Sequence, residues 1–165
     1  MDCNSPNRME KAMRAAVLTS LIFFLVLPAA AGVAAPYPDT VVIETGRPFA
    51  EFVKKLETAI GANKMGIVAQ ACATCGARSI GVTIPGNRVI MVFRADFAVR
   101  MLKASVAAGI EAPLRLYVTE RPDGSARLTY RLPSGVFAPY GVADLNAMAK
   151  ELDEILARIA ADAIR

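Results

Sequence analysis

The 165-residue chain contains no histidine. This absence excludes Ser/His/Asp and Cys/His nucleophilic sites, histidine-containing metal sites and covalently attached c-type haem, whose motif needs a histidine directly after CxxC. Tryptophan is also absent, which removes a common stacking platform for sugars and bases. Of the three cysteines, two form the single CxxC motif, at Cys72 and Cys75.

Runs of basic residues are missing as well. The net charge is +4, but Arg8, Lys11 and Arg14 belong to the N-terminal segment, residues 1–35. The other basic residues are scattered and lack the aromatic interleaving of proteins that bind single-stranded nucleic acid. We therefore expect no nucleic-acid partner.

The N-terminal segment has the order of a secretory signal peptide. Its basic, apolar and small-residue parts are Arg8, Lys11 and Arg14, then residues 15–27, then residues 29–35. The apolar run is shorter than the roughly 20 residues that span a bilayer, which favours cleavage over anchoring. We expect residues 1–35 to be the leader, cut after Ala31 or Ala34, and the protein to be periplasmic or secreted. The alternative is an uncleaved anchor, which would be the one membrane contact.

Residues 36–165 have the length of one domain and mix strand and helix patterns. Strand patterns cover residues 40–45, 66–71, 89–93, 114–118 and 128–132, and helical periodicity covers 49–60, 96–109 and 143 to the end. The second helix is predicted to turn Phe97, Met101, Leu102 and Val106 inward. The final helix is predicted to bury Leu145, Met148, Leu152, Ile155 and Ile159.

Three local patterns refine this prediction. The uninterrupted apolar run 89–93 predicts a strand buried on both faces at the centre of the sheet. Residues 72–81 contain so many turn formers that a loop or a single helical turn is expected. The alternating runs 114–118 and 128–132, with Pro122-Asp123-Gly124 between them, predict a hairpin with one covered face. The whole pattern predicts an α+β fold, a two-layer sandwich of a small, mostly antiparallel sheet with helices packed on it.

The hairpin also offers a candidate pocket wall. Arg115, Tyr117, Tyr130 and Arg131 would form that wall if they shared the open face of the hairpin. The alternation of the strand, however, points Tyr130 inward.

From about Phe49 to the C-terminus, the order of elements resembles the family called domain of unknown function 302. The resemblance is carried by the first helix, the strand 66–71, the glycine-punctuated loop through Gly76 and Gly81, the run 89–93 and the stretch 112–118 (APLRLYV). It implies a small α+β domain, often dimeric and often exported, with no established activity. A homodimer is therefore expected.

One position departs from that family. Many bacterial members carry an Asp-His pair in the loop after the second strand, and the corresponding places here are Cys72 and Ala73. A function that rests on that histidine cannot be transferred to this chain. Cys72 and Cys75 would then be a local replacement.

The motif Cys72-Ala73-Thr74-Cys75 is the one constellation with reactive potential, and three interpretations compete. The first is structural: a local disulfide in an oxidising compartment, or two small buried thiols. The second is a metal site at Cys72 and Cys75, most plausibly for Cu(I), which accepts two thiolates where zinc would need four ligands. Methionines such as Met65 would assist copper, although methionine at such positions is more often part of the core.

The third interpretation is thiol–disulfide exchange, in which the attacking cysteine usually lies at a helix N-terminus. The residues after the motif argue against it, because Gly76, Ser79, Gly81 and Pro85 are expected to allow one helical turn at most. The proline-bearing loop that usually faces such a motif cannot be identified from the sequence.

Taken together, the sequence favours an uncharacterised, exported, non-catalytic domain that binds a small ligand, a soft metal ion or a protein partner. No residue is predicted to be catalytic, and no cofactor is expected apart from Cu(I) at Cys72 and Cys75. The alternative function is that of a thiol–disulfide exchange protein that uses the same pair.

Overall fold

The structure is a computed structural model that describes residues 37–165. The predicted leader, its two cleavage sites and its apolar run lie outside the described residues. Within residues 37–165, no helix combines the length and the apolar character needed to cross a membrane.

Five strands and five helices follow one another along the described part of the chain. In order they are β1 (Thr40–Pro48), α1 (Phe49–Ala62), β2 (Gly66–Ala71), α2 (Ala73–Ser79), β3 (Asn87–Phe93), α3 (Ala95–Ala104), β4 (Leu114–Glu120), β5 (Ser125–Arg131), α4 (Pro133–Phe137) and α5 (Ala143–Ile164). Short 3₁₀ turns at Ala107–Glu111 and Ala138–Tyr140 precede β4 and α5.

The strands form one sheet in the order β1-β5-β4-β3-β2, and every neighbouring pair is antiparallel. The predicted hairpin is present as β4 and β5, which pair from Tyr117 with Thr129 to Glu120 with Ala126. The predicted α+β fold, a sheet packed against helices, is therefore confirmed.

The core lies between the helices and one face of the sheet. The helix α1 contributes Phe52, Leu56 and Ile60, all fully buried, because their spacing of four residues places them on one side of the helix. The long helix α5 buries all five of the residues predicted from its periodicity, which are Leu145, Met148, Leu152, Ile155 and Ile159. The opposite face of the sheet is more open.

This open face makes the predicted position of the apolar run 89–93 wrong. The strand β3 lies second from one edge of the sheet, and β4 is the central strand. In β3 only Ile90 and Val92 are buried, since they face the helices, whereas Val89 and Met91 point to the other face and are half-buried. The run 89–93 is thus apolar on both faces of β3, although the helices cover only one of these faces.

The helix α3 also differs from its prediction. Phe97 and Met101 are buried as expected, but Leu102 is 47% exposed and Val106 is 79% exposed. The helix ends at Ala104, well before Gly109. Val106 therefore lies beyond the helix, where the helical period no longer determines which way a side chain points.

Candidate functional site

The CxxC motif lies where β2 passes into α2. Cys72 directly precedes the helix, and the predicted loop or single turn is wrong, because Gly76 and Ser79 are both helical residues. Local hydrogen bonds form this helix: Gly76 N donates to the carbonyl of Cys72 at 3.0 Å, and Ser79 Oγ donates to the carbonyl of Gly76 at 2.7 Å. The helix closes before Gly81, whose φ of +77° favours glycine.

Thr74, between the two cysteines, anchors the motif to the start of β3. Its hydroxyl donates to the carbonyl oxygen of Pro85 at 3.0 Å and accepts a hydrogen bond from the backbone N–H of Asn87 at 2.8 Å. The segment that contains Pro85 therefore contacts the motif through Thr74. The anchor holds the motif against the sheet through a single hydroxyl that satisfies two backbone groups.

The segment that receives this anchor is itself fixed to β4. The N–H of Gly86 donates to Oε2 of Glu120 at 2.6 Å, and the carbonyl of Gly86 accepts from the N–H of Glu120 at 2.8 Å. The side-chain amide of Asn87 donates to the hydroxyl of Tyr117 at 2.6 Å. The segment that anchors the CxxC motif is therefore held to β4 by three hydrogen bonds.

Cys72 and Cys75 form a disulfide, with their Cα atoms 5.2 Å apart. The two residues differ in exposure, because Cys75 is exposed and Cys72 is half-buried. The backbone N–H of Cys75 donates to Sγ of Cys72 at 3.1 Å. No residue of α2 belongs to the buried core. Cys75 is therefore the more exposed residue of the pair.

The surroundings of the pair offer few further metal ligands. Among residues 37–165, no group of three or more histidine, cysteine, aspartate or glutamate side chains could hold a metal ion. Met65 is 5% exposed and is a member of the hydrophobic core. A Cu(I) ion at Cys72 and Cys75 would first need the disulfide to be reduced, because the thiolate is the metal ligand. That site stays a prediction.

Comparison with known proteins places the chain in a family. The family model described as domain of unknown function DUF302 matches residues 41–163. The chain belongs to the DUF302 family. The resemblance inferred from the order of its strands and helices is thereby confirmed, while the family itself assigns no activity to its members.

A solved structure shows the same fold for this DUF302 domain. The uncharacterized conserved protein DUF302 from Bacillus stearothermophilus superposes with a TM-score of 0.69 at 16% sequence identity. The match covers 76% of this chain and 98% of that chain. No curated protein matches the chain.

The four residues of the predicted pocket wall in this DUF302 domain do not share one face of the sheet. Tyr130 points inward, as its alternation predicted, and is 5% exposed. Burial, together with the negative charge of Asp153, raises the pKa of Tyr130. Arg115 and Arg131 face the open side and line one cleft, whereas Tyr117 is not among the residues that line it.

Two further cleft residues could not be found by reading the sequence. Tyr37 precedes β1, and Glu111 ends the 3₁₀ turn before β4. Neither residue belongs to a periodic pattern, and they lie more than seventy positions apart in the chain. Only the antiparallel arrangement of the strands brings them to the same cleft.

Proposed function

We propose that this DUF302 domain is exported and that its Cys72–Cys75 disulfide exchanges with thiols of a partner protein. The observation that carries the proposal is the exposure of Cys75 within a motif that Thr74 holds in place. The export predicted from the sequence also supports the proposed exchange, because disulfides form and persist in oxidising compartments. The basic, apolar and small-residue order of residues 1–35 supports export.

A purely structural role explains the disulfide less well. Cross-linking stabilises a fold mainly by restricting the unfolded chain, and a loop as short as Cys72 to Cys75 gains the least, about 2 kcal/mol. The bond joins the end of β2 to the first turn of α2 and no other elements. Thr74 already ties the same turn to β3. The disulfide thus joins exposed segments and stabilises the fold less than a disulfide that closes a long loop.

The exchange has two steps. A thiolate of the partner attacks Sγ of Cys75, the Cys72–Cys75 bond breaks, and Cys72 leaves as a thiolate in a mixed-disulfide complex. The N–H of Cys75, 3.1 Å from Sγ of Cys72, stabilises the departing negative charge by a hydrogen bond. A second partner thiolate then attacks the partner's own sulfur in the mixed disulfide and releases Cys75 as a thiolate. Two electrons pass from the partner dithiol to the domain, and the partner gains a disulfide.

Equilibration with glutathione tests this function. The exported protein is incubated in buffers of defined ratio of reduced to oxidised glutathione, quenched with acid, and its free thiols are counted by mass spectrometry. We expect half-reduction at a potential above about −300 mV, the range of labile disulfides. A bond that stays intact at more reducing potentials is a structural disulfide and contradicts the proposal. The variant with both cysteines changed to serine is the control, and the N-terminal residue of the recovered protein tests export.

A further inference from the structure

Two arginines, Arg115 on β4 and Arg131 on β5, lie on the open face of the sheet. The strands β4 and β5 pair Tyr117 with Thr129, and continuing that register by two residues places Arg115 across from Arg131. Both side chains are exposed and line the same cleft. Like charges directly opposite each other on neighbouring strands destabilise a sheet.

Among residues 37–165, neither Arg115 nor Arg131 has an acidic partner within ion-pair distance. The arginines at the other end of the same face are paired: Glu44 accepts from Arg127 at 2.6 Å and from Arg121 at 3.1 Å. On this face of the sheet, the arginines near Glu44 therefore form ion pairs, whereas the two arginines of the cleft do not.

The cleft around the two arginines has charged and apolar walls. Its volume is about 300 Å³, and its apolar lining comes from Leu114 and Val136. The guanidinium carbon of Arg131 lies 4.8 Å from the centre of the Tyr37 ring, which places an aromatic face beside the charge.

Glu111 adds one negative charge to the cleft wall. Its Oε1 accepts a hydrogen bond from the hydroxyl of Tyr140 at 3.1 Å, and it forms no ion pair with Arg115 or Arg131. Two guanidinium groups and one carboxylate leave the cleft with one positive charge. That balance fits a ligand with a single anionic group rather than a polyanion.

We propose that this cleft binds a small organic anion, a molecule that carries one carboxylate or phosphate group beside an aromatic or apolar part. The planar guanidinium groups of Arg115 and Arg131 hold the anionic group through charge-assisted hydrogen bonds. The apolar part packs on Tyr37, Leu114 and Val136.

The proposal goes beyond thiol–disulfide exchange and does not depend on it. Thr119, which pairs with Asn87 beside the CxxC anchor, lies four residues from Arg115 along β4, or about 13 Å. Loss of one activity therefore leaves the other intact. Either function can fail by itself in experiment.

Isothermal titration calorimetry on the exported protein tests the cleft with four probes. Benzoate and phenyl phosphate carry both parts of the proposed ligand, and acetate and inorganic phosphate carry the anionic part alone. We expect an aromatic probe to bind with a Kd below about 1 mM and at least several-fold more tightly than its small counterpart. The stronger of the two aromatic probes identifies whether the anionic group is a carboxylate or a phosphate. Absence of heat with both aromatic probes overturns the proposal, and so does equal affinity for aromatic and small anions.

Three single variants locate the binding. Arg115→Gln and Arg131→Gln each weaken the tighter probe about 10-fold or more, because a hydrogen bond to a charged group is lost. Arg127→Gln, on the same face but paired with Glu44, leaves the affinity unchanged. Equal losses in all three variants would mean a diffuse electrostatic effect and would overturn the assignment to the cleft. Glu111→Gln, which keeps the acceptor for Tyr140, is expected to tighten binding.

Thermal unfolding without ligand gives an independent readout. Arg131→Gln is expected to raise the Tm, since it removes repulsion from Arg115, whereas Arg127→Gln is expected to lower it, since it leaves Glu44 with one partner fewer. A lower Tm in both variants contradicts the uncompensated pair on which the proposal rests.

Discussion

The backbone N–H of Cys75 donates a 3.1 Å hydrogen bond to Sγ of Cys72, across the disulfide that joins the same two residues. The two sulfurs are therefore inequivalent. Cys75 is the more exposed residue of the pair, whereas Sγ of the half-buried Cys72 has a donor in place for the charge it acquires on leaving. This asymmetry sets the direction of the exchange that we propose.

Replacement of Thr74 by valine tests the anchor of the motif. Valine keeps the shape of threonine but removes the hydrogen bonds to the carbonyl of Pro85 and from the N–H of Asn87. We expect a loss of about 1–2 kcal/mol in the free energy of unfolding, measured by urea denaturation. Ser79→Ala, which removes only a local bond to Gly76, is the control and should change stability less. An unchanged midpoint for Thr74→Val would mean that the anchor does not hold α2.

Two glycine substitutions with opposite expected signs test the packing beside the motif. A Cβ on Gly86 would lie 2.6 Å from the ring of Phe49, so Gly86→Ala forces that ring to move and should destabilise the protein by about 1–3 kcal/mol. Gly61 lies in α1 with open space around it, and Gly61→Ala should stabilise the protein by up to about 1 kcal/mol. Thermal unfolding of both variants measures the difference. Equal Tm values would contradict the close packing of Gly86 against Phe49.

An ion pair between α3 and α5 gives stability that depends on pH. The two terminal guanidinium nitrogens of Arg100 donate to the carboxylate of Glu151, at 2.8 and 2.7 Å. These bonds hold the pKa of Glu151 below its ordinary value of 4.5. A carboxylate whose pKa is lowered on folding stabilises the fold above its unfolded pKa. That contribution disappears as the pH falls through the folded pKa, so the relevant window lies below pH 4.5.

The variant Arg100→Gln isolates this effect. Urea midpoints measured from pH 7 down to pH 3 should fall less steeply below pH 4.5 in the variant than in the wild type. Asp96 and Asp123, whose pKa values are lowered by hydrogen bonds from Arg94 and Ser125, contribute to both curves. Parallel curves for the two proteins would show that the pair does not contribute.

Local patterns were enough to predict most of the fold. The strands and the buried face of α5 follow from alternation and from helical period, which depend on neighbours in the sequence. The position of β3 could not be predicted in the same way, because an apolar run does not say whether one or both faces of a strand are covered. The exposure of Val106 could not be predicted either. The helical periodicity of the sequence continues past Ala104, although the helix ends there.

The sites depended on contacts between distant residues. The helix after Cys72 was missed because Gly76 and Ser79 suggest a turn, while the contacts that hold this segment come from Pro85 and Asn87, on the next strand connection. The two arginines of the cleft were found from hairpin alternation. Tyr37 and Glu111 were not, since no local pattern joins residues that only the sheet brings together.

Identifying the first mixed disulfide tests whether an incoming thiolate attacks Cys75, the more exposed residue of the pair. The oxidised wild-type protein is treated with limiting reduced glutathione in the presence of iodoacetamide, and the products are digested and sequenced by mass spectrometry. We predict glutathione on Cys75 and the alkyl group on Cys72, because the latter leaves as the thiolate. The reverse labelling, or a disulfide that glutathione leaves intact, would contradict the account.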